Sequence, residues 1–337
     1  MTTREAVVRE LVRCRAAGGF VSGLKIAQLC GISRQAVCKV IHQLQHDGMV
    51  IETSRRHGYR LQSTATVLSA AVIEALLDPA RRVTVRVYDT IDSTNNEAKR
   101  QCAAAPDVRL LDGTVIISDC QTAGRGRMGR SFFSPARTGL YASLIVVPER
   151  TVSAPALLTA LAAVAVCRAI SRVYGVEPQI KWVNDIFLHG KKVCGILAEG
   201  ISNFETNIIE YAVIGIGVNI LPGAFSAELT AVATAIMEHV DDDSKRNELG
   251  AAIIGETYAL YRGSREKIDE AMCEYRTRSC LIERNVRIVP VGLPPERSWD
   301  AQVLDITDDA RLVVQTASGE RVVLDSGEVS LGSQAVI

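Results

Sequence analysis

Seven residues near the middle of this chain limit what the structure around them can be. Positions 124–130 read Gly-Arg-Gly-Arg-Met-Gly-Arg, with three glycines and three arginines. Glycine allows close backbone approach and positive φ, and arginine presents a permanently charged fork suited to phosphate or carboxylate. The run predicts a mobile loop, here called the Gly/Arg loop, whose charges repel one another until an anion binds. A nucleotide or a nucleic-acid backbone is the candidate anion, and a solvated basic loop is the plain alternative.

Charge is unevenly distributed along the 337 residues. The formal net charge is +0, but residues 1–60 carry ten lysines and arginines against four acidic residues. The first 60 residues therefore have an excess of six positive charges, which the rest of the chain balances with an equal negative excess. Such asymmetry favours a basic N-terminal module whose partner is an anion.

Cysteine use and hydropathy exclude several protein classes. The nine cysteines show neither metal-ligand spacing nor a disulfide framework, so we expect most of them to be buried thiols. The chain opens without the basic and apolar stretches of a signal peptide. The apolar run at 152–167 is shorter than the ~20 residues of a membrane span and predicts an alanine-rich core helix. The sequence indicates a cytoplasmic protein without a membrane partner.

The first 41 residues show the pattern of a helix-turn-helix. A helix is predicted over residues 3–18, followed by two shorter helices with a tight turn at Gly31. Ser33 is the predicted N-cap of the second short helix. The apolar residues expected to pack in these two helices are Leu24, Ala27, Leu29, Val37, Val40 and Ile41. The residues expected to contact DNA from the second helix are Ser33, Arg34, Gln35 and Lys39.

A basic hairpin is predicted beside this recognition helix. Gly48 ends the helix, and residues 50–61 can form two strands with a tip at Arg55-Arg56-His57-Gly58. Arg55 and Arg56 are the DNA contacts expected from the tip, an arrangement typical of a winged helix. A small helical domain that serves protein contacts is the alternative.

The next informative segment follows a linker at 64–82, which contains a short helix over 69–77. A strand over 81–90 leads to Asp92-Ser93-Thr94-Asn95-Asn96-Glu97. Thr94 and Glu97 fit a capping box, so these polar side chains either cap a helix or also face a ligand at its N-terminus. A buried strand over 114–119 then leads into the Gly/Arg loop.

A lysine lies in a later segment that looks buried. Residues 180–188 alternate as a single strand with Lys181, Val183 and Asp185 on one side, and a turn at 190–192 leads into a returning strand. Lysines avoid full burial unless they are paired. Lys181 therefore either forms an ion pair with Asp185 or points at an anionic ligand.

Two glycines interrupt another central strand, predicted over 212–220. Gly215 and Gly217 would leave room for a ligand next to the sheet. Asn219, at the end of the same strand, offers both a hydrogen-bond donor and an acceptor.

Five motifs in chain order resemble those of biotin protein ligases, in particular the bifunctional ligase–repressors of bacteria. They are Asp92-Ser93-Thr94-Asn95, residues 121–130, Lys181-Trp182-x-Asn184-Asp185, Gly195-Ile196-Leu197-x-Glu199 and Gly215-x-Gly217-x-Asn219. Each motif alone is weak, but five in this order at compatible spacing are specific. The resemblance covers essentially the whole chain.

The resemblance implies an α+β fold with three domains. An N-terminal winged helix-turn-helix would span 1–63 and be followed by the linker at 64–82. A central mixed α/β ligase domain of the class II aminoacyl-tRNA synthetase/biotin ligase type would span 83–275. A C-terminal SH3-like β-barrel would span 276–337, which agrees with strand-like segments at 285–291, 299–306, 311–316 and 321–324.

The resemblance also implies roles for individual residues. Ser93, Thr94, Asn95 and Gln121 would hold the ureido head of biotin. The catalytic residues would be Lys181, Arg125 and Arg127, with Lys181 on the reacting carboxylate and α-phosphate, and Asn219 near the nucleotide. Further residues of the biotin and nucleotide site would be Gly124, Gly126, Arg130, Phe132, Asn184, Gly195, Gly215 and Gly217. The chain departs from the family pattern at Val183, commonly proline, and at Phe132, often a tryptophan that flanks adenine.

The implied activity is that of an ATP-dependent, AMP-forming biotin–[biotin carboxyl-carrier protein] ligase. It would use biotin, ATP and Mg²⁺ bound with the nucleotide, without a metal site of its own. Its partners would be biotin carboxyl carrier protein, the operator DNA of biotin-synthesis genes and a second copy of the chain in a ligand-promoted homodimer. A biotin-sensing regulator without ligase activity and a lipoate-type acyl ligase are the alternatives.

Overall fold

Helix caps and one glycine turn define the N-terminal helices in the computed structural model. Ser22 and Ser33 each accept a hydrogen bond at 3.1 Å from the backbone N–H three residues on, and Gly31 has φ 65° at the turn. The helices are α1 Thr3–Ala16, α2 Gly23–Cys30 and α3 Arg34–His46. The structure describes residues 2–16, 19–64, 67–147, 155–202, 209–223, 225–239, 245–289, 295–325 and 327–331.

The prediction for the buried face of α2 is confirmed for Ala27 and wrong for Leu24 and Leu29. Leu24 and Leu29 are 52% and 57% exposed, whereas Ile26 and Ala27 are buried. Ile26 and Ala27 lie on one side of this eight-residue helix. The side of the helix on which a residue lies therefore decides whether it is buried, and apolar character alone does not. In α3 the prediction is confirmed for Val37 and Ile41, which are buried, while Val40 is half-buried.

A two-stranded antiparallel hairpin follows α3, as predicted. Strands β1 Val50–Ser54 and β2 Gly58–Ser63 pair from Ser54 opposite Gly58 outward. Gly58 has φ 96°, and a Cβ there would lie 2.2 Å from the Val21 carbonyl oxygen. Only glycine fits this position, which fixes the start of β2 against the segment before α2.

The segment predicted as a linker contains a packed helix, α4 Ala70–Leu76. Ala71 and Val72 belong to the apolar core of the N-terminal helices, whereas Ile73 belongs to the core of the central sheet. Helix α4 therefore contributes to both cores.

A seven-stranded sheet forms the centre of the molecule. Its strands are β3 Thr84–Ile91, β4 Thr114–Gln121, β5 Gly139–Val146, β6 Gln179–Lys181, β7 Asp185–Leu188, β8 Lys191–Ser202 and β9 Ile209–Asn219. Their order is β3-β4-β5-β9-β8-β7-β6, and only β3 and β4 are parallel. The parallel pair is joined by helix α5 Thr94–Ala104, so the start of α5 lies at the ends of these strands.

The segment at 180–188, predicted as one strand, is a hairpin of β6 and β7. Lys181 pairs with Asp185, and residues 182–184 form the turn. Asn184 holds this turn against β8 by two hydrogen bonds with Ile196, one through its carbonyl oxygen and one through its side chain. The next turn lies at His189 and Gly190, both with positive φ, rather than at 190–192.

Helices cover both faces of the sheet. Ala98 and Cys102 of α5 pack on one face, and α4 together with helices from residue 155 onward packs on the other. The remaining helices are α6 Pro155–Tyr174, α7 Ala227–Val232, α8 Arg246–Tyr261 and α9 Arg265–Thr277. By length and composition α6 could cross a membrane over Ala156–Tyr174, but 72% of its apolar window is buried in the protein. The described part of the run at 152–167 is thus a core helix, and positions 152–154 lie outside the described residues.

A second, antiparallel sheet of five strands forms the C-terminal part. Its strands are β10 Asn285–Val289, β11 Trp299–Ile306, β12 Leu312–Thr316, β13 Arg321–Leu324 and β14 Glu328–Leu331. Their order is β13-β12-β11-β10-β14. The first four strands match the predicted segments, except that positions 290 and 291 lie outside the described residues, and β14 was not predicted. Trp182 joins the two sheets, because its indole Nε1 donates to the Ala310 carbonyl oxygen at 2.8 Å.

The nine cysteines are free thiols, but most of them are not buried. Four are buried, three are half-buried, and Cys38 and Cys273 are exposed. Burial raises the pKa of Cys102 and of Cys280 to about 11, so these two thiols stay protonated at neutral pH.

Candidate active site

Three buried polar side chains, Ser93, Thr94 and Asn95, lie at the start of α5. The Thr94 backbone N–H donates to Gln121 Oε1 at 2.8 Å, and Ser143 Oγ donates to Thr94 Oγ1 at 2.7 Å. Ser143 Oγ also lies 2.5 Å from Asn95 Oδ1, so its single hydroxyl proton is shared between the two acceptors. The end of β4 and the middle of β5 therefore hold this helix start in one orientation.

The predicted capping box is wrong. Ser93 occupies the N-cap position without a side-chain cap bond, and Thr94 is the first residue of the helix. Glu97 accepts hydrogen bonds from Arg100 and Gln101 instead of reaching back. Because Gln121 satisfies the Thr94 N–H, the local cap is unnecessary, and the polar side chains face inward.

These residues line a first cavity with about 460 Å³ of empty volume. Twelve of the predicted site residues line it, namely Ser93, Thr94, Asn95, Gln121, Arg125, Gly126, Arg127, Phe132, Asn184, Gly195, Gly215 and Gly217. Lys192, Ile196, Leu197 and Ile216 complete the wall. Most of the predicted set is thus assembled around one space from segments far apart in the chain.

The Gly/Arg loop folds back on itself. The Phe132 N–H donates to the Gly124 carbonyl oxygen at 2.9 Å, and the Gly126 N–H donates to the Arg130 carbonyl oxygen at 2.7 Å. A Cβ at Gly124 would lie 2.3 Å from the Phe132 carbonyl oxygen. Gly124 does not line the cavity, and its role in this structure is to let the base of the loop close.

Two loop arginines already have partners within the protein. Arg125 Nη1 donates to Asn96 Oδ1 at 3.0 Å and lies 3.7 Å from Glu199 Oε1. Arg127 Nη1 donates to Asn184 Oδ1 at 2.9 Å. The loop is therefore attached on one side to α5 and β8 and on the other to the turn between β6 and β7.

The glycines of β9 make room for side chains rather than for empty space. A Cβ at Gly215 would lie 2.2 Å from Asn95 Oδ1, and one at Gly217 would lie 2.6 Å from Phe132 Cε1. The prediction that these glycines leave room for a ligand therefore needs correction. They allow Asn95 and the Phe132 ring to lie directly on the sheet, and all four residues line the first cavity.

A second cavity, with about 940 Å³ of empty volume, adjoins the first. Gly126, Arg127, Phe132, Asn184 and Lys192 line both cavities. The second one extends past Arg130 and Lys181 to Val289, Gly327, Val329 and Ser330 of the C-terminal sheet. Lys181 thus lies on the second cavity and does not line the first.

The predicted alternative of an ion pair between Lys181 and Asp185 is wrong. Asp185 Oδ1 lies 2.7 Å from Lys192 Nζ, and Lys181 Nζ lies 5.5 Å from the centroid of the Phe187 ring. Lys181 and Asp185 lie opposite each other on β6 and β7, but the Asp185 carboxylate is paired with Lys192 instead.

Asn219 does not line either cavity. Its Nδ2 donates to the Thr234 carbonyl oxygen at 3.3 Å, and its own carbonyl oxygen accepts from the Ile236 N–H. In this structure Asn219 holds the segment after α7 against the end of β9.

Three family models match consecutive parts of the chain. Residues 8–60 match an HTH domain, residues 87–219 match the biotin/lipoate A/B protein ligase family, and residues 287–332 match the biotin protein ligase C-terminal domain. A bifunctional ligase/repressor BirA from Bacillus subtilis is 36% identical over 97% of this chain and 94% of its own length. The Escherichia coli protein of that name is 28% identical over 83% of this chain and 84% of its own.

This chain belongs to the biotin ligase/repressor family. The fold agrees with a solved biotin protein ligase from Aquifex aeolicus in complex with biotin and ATP, with a TM-score of 0.58 at 22% identity over 73% of this chain and 97% of that one. The family fold comprises an N-terminal HTH domain, a central biotin ligase domain and a C-terminal β-rich domain.

Lys192 lines both cavities, and the sequence analysis missed it. It was assigned to the turn at 190–192, but it follows the turn and lies on β8 with its ammonium 2.7 Å from Asp185. The available signal was its position at the start of the returning strand, opposite the segment that carries Asp185. As in other lysine–carboxylate pairs, the partner makes a partly buried ammonium tolerable.

In this ligase/repressor, the predicted DNA-contacting side chains are all exposed. Those of α3 are Ser33, Arg34, Gln35 and Lys39, and those of the hairpin tip are Arg55 and Arg56. Arg60 on β2 differs from the tip arginines, because it forms an ion pair with Glu52 and lies 4.7 Å from the Phe20 ring centroid. The structure leaves both the helix face and the tip accessible to a partner.

Proposed function

We propose that this protein is an ATP-dependent biotin protein ligase that also binds DNA as a repressor of biotin-synthesis genes. Its relatives named as bifunctional ligase/repressors support both halves of the proposal. The observation that carries the ligase half is the boundary between the two cavities, which Arg127, Phe132 and Lys192 line on both sides. A reaction that joins two substrates requires such a meeting point.

The reaction has two steps. A carboxylate oxygen of biotin attacks the α-phosphorus of ATP, the bond from that phosphorus to pyrophosphate breaks, and biotinyl-5′-AMP forms. The ε-amine of a lysine on biotin carboxyl carrier protein then attacks the acyl carbon, AMP leaves with the bonding electron pair, and the amine loses a proton. Closure of the site around the mixed anhydride protects it from water.

The two cavities suit two different parts of these substrates. Ser93, Thr94, Asn95 and Gln121 provide neutral hydrogen-bonding groups for the ureido head of biotin in the first cavity. Arg130 and Lys181 supply positive charge for phosphates in the second. Phe132 replaces the family's tryptophan and presents an aromatic face to the nucleotide.

Cations at the boundary supply the catalysis. Negative charge accumulates between the carboxylate and the α-phosphate in the transition state, and fixed positive groups there lower the barrier. Arg127 and Lys192 line this boundary, and Arg125 lines the first cavity. Lys181 contributes from the second cavity. We retain the predicted catalytic set of Lys181, Arg125 and Arg127 and add Lys192.

Mg²⁺ would accompany the nucleotide. Magnesium in such sites is commonly held by substrate phosphates together with one or two carboxylates. Asp185 lines the second cavity, and its carboxylate would be the protein ligand of the ion. Lys192, which is paired with this carboxylate, would then share it with the ion. The ion would neutralise charge on the leaving pyrophosphate.

The DNA-binding half uses the N-terminal domain as a winged helix. We assign α3 as the recognition helix and the β1–β2 hairpin as the wing, with phosphate contacts from Arg55 and Arg56. Ligand-promoted homodimerisation would place two recognition helices on paired half-sites. We further assign domain limits at 1–63, 83–275 and 276–337, an SH3-like barrel for the last of these, and a cytoplasmic location.

One experiment tests the proposal. The full chain is incubated with biotin, Mg²⁺ and ATP labelled at the α-phosphate, and then with a biotin carboxyl carrier domain. We expect labelled biotinyl-AMP, followed by a biotinylated lysine on the carrier. Biotin binding without adenylate formation would favour the pure biotin sensor, and preferential use of lipoate in direct competition would favour the lipoate-type ligase.

A further inference from the structure

Glu199 connects two parts of the first cavity through a single carboxylate. Its Oε2 accepts a hydrogen bond from Asn95 Nδ2 at 2.8 Å. Its Oε1 lies 2.9 Å from Lys99 Nζ and 3.7 Å from Arg125 Nη1. Asn95 and Lys99 belong to α5, whereas Arg125 belongs to the Gly/Arg loop, so the carboxylate bridges the start of the helix and the loop.

The Gly/Arg loop needs such a group. Its three arginines lie within six residues, and like charges at this spacing repel one another. Among the described residues, Glu199 is the only anionic group within 4 Å of Arg125, whose other partner, Asn96, is neutral. Glu199 therefore supplies the counter-charge that the sequence of the loop demands before any ligand binds.

The Glu199 carboxylate is ionised at neutral pH, as this role requires. Burial raises the pKa of Glu199, but hydrogen bonds from Lys99 and Asn95 and the charge of Arg125 outweigh burial, and the pKa lies below its usual value. The side chain is 24% exposed and that of Arg125 is 43% exposed, so solvent weakens the attraction without removing it.

We propose that Glu199 is a positioning residue whose carboxylate holds the Gly/Arg loop over the first cavity until an anionic group of a bound substrate takes its place at Arg125. The identity of that substrate rests on the proposed function, whereas the loop contact does not. Glu199 stabilises the closed loop in the free protein. The entropic cost of ordering the loop when substrate binds is therefore smaller.

Lys99 allows the proposal to be tested by the direction in which a substitution changes loop mobility. Its ammonium shares Glu199 Oε1 with Arg125 and competes for the same charge. Removing the ammonium leaves the carboxylate entirely to Arg125 and tightens the loop. Removing the carboxylate charge loosens it. A residue with a merely structural role would not give opposite effects from two neighbouring changes.

The test is hydrogen–deuterium exchange of the backbone amides at 122–132 in the full chain without ligand. Glu199→Gln keeps an acceptor for Asn95 but loses the charge, and we expect exchange about five-fold faster, as fits a partly exposed ion pair. Lys99→Met is the matched variant, and we expect slower exchange than in the wild type. Exchange in α8, remote from the loop, should stay unchanged in both variants.

A ligand arm separates positioning from general stabilisation. With saturating biotin and Mg-ATP, exchange of the loop should become equal in the wild type and Glu199→Gln, and the KM for biotin should rise about five-fold in Glu199→Gln with kcat nearly unchanged. The proposal is overturned if both variants accelerate exchange, if neither changes it, or if the difference persists with ligand bound. The measurement without ligand stands even if the wild-type chain makes no biotinyl-AMP, so failure of the proposed function is recognised separately.

Discussion

The N-terminal helices and the ligase site form in different ways. In the helices, the side-chain caps join residues close in sequence, as when Ser33 caps α3 three residues away. In the ligase site, Asn95 contacts Glu199 across 104 positions, and Arg127 contacts Asn184 across 57. The capped helix ends are set by local contacts, whereas the ligase site exists only once the sheet has formed.

The two regions should therefore respond differently to substitution of a single residue. A local cap contributes on its own, and its loss is confined to one helix end. A contact across the sheet is one part of a network whose members satisfy one another, so removing one of them leaves its partners unsatisfied. The predictions below test this difference, beginning with the largest effect.

The largest effect should come from Arg246, at the start of α8. Its side chain is fully buried, with Nη2 2.6 Å from Asp119 Oδ1 and Nε donating to the Gly139 carbonyl oxygen at 2.8 Å. Arg246→Met leaves the Asp119 carboxylate without its cation and the Gly139 carbonyl oxygen without this buried donor, and we expect a loss of about 3–5 kcal/mol in the free energy of unfolding. Urea denaturation followed by the fluorescence of Trp182 and Trp299 measures it, because both tryptophans lie outside the N-terminal helices.

Arg262→Met is the matched control for Arg246→Met. Arg262 also lies 2.6 Å from a carboxylate, Asp112, but its side chain is 41% exposed. We expect a loss below about 1 kcal/mol from this exposed pair. Equal losses in the two variants would contradict the view that burial of the network dominates.

The next largest effect should separate Lys192 from Lys181. We expect Lys192→Ala to slow biotinyl-AMP formation about 10²-fold, because it removes a cation from the transition state. Since Lys192 lines both cavities, its loss should also raise the KM for both biotin and ATP. Lys181→Ala should lower kcat, because Lys181 belongs to the proposed catalytic set, and should raise the KM for ATP but not that for biotin, because Lys181 lines only the second cavity. Initial rates of pyrophosphate release measure these constants.

Lys191→Ala is the control, because the Lys191 ammonium donates to the Thr230 carbonyl oxygen and lines neither cavity. It should retain the wild-type rate. An unchanged rate in Lys192→Ala would show that Lys181 is sufficient for adenylate formation. Lys192 would then serve only as the ion-pair partner of Asp185.

The ligase site also shows how far sequence reasoning reaches. Motif order identified Asn95, Arg127 and Phe132, which share one cavity in the structure. Their contacts could not be predicted, because they depend on how β9 and β8 align. Register decides that Gly217 lies under the Phe132 ring rather than under empty space.

The errors have the same physical origin. The 180–188 segment alternates like one strand, yet the bonds between Asn184 and Ile196 of β8 make it a hairpin. The cap at Thr94 looked sufficient locally, but Gln121 satisfies the same N–H from another strand. Tertiary hydrogen bonds outweigh local preferences in both places. In the helix-turn-helix, by contrast, the predicted cap at Ser33 and the turn at Gly31 are present, and the error is confined to Leu24 and Leu29 of α2, which are exposed.

A smaller effect should come from the helix caps. Ser22→Ala and Ser33→Ala each remove one cap, and we expect each to cost about 1 kcal/mol of stability. Ser33 also belongs to the proposed DNA surface and Ser22 does not. Thermal unfolding followed by circular dichroism should therefore show similar losses, while fluorescence anisotropy on operator DNA should show weaker binding for Ser33→Ala alone. Equal losses of DNA affinity would mean that Ser33 acts only through its cap.

The smallest effect should appear in the salt dependence of DNA binding. Arg55 is exposed at the hairpin tip, and we expect Arg55→Ala to reduce the slope of log K against log salt by about 1, because one phosphate contact is lost. Arg60→Ala is the matched control. The Arg60 guanidinium is already paired with Glu52, so its removal should leave the slope unchanged. A slope that falls equally in both variants would show that the hairpin acts through its overall charge, whereas a fall in Arg55→Ala alone assigns the phosphate contact to the tip.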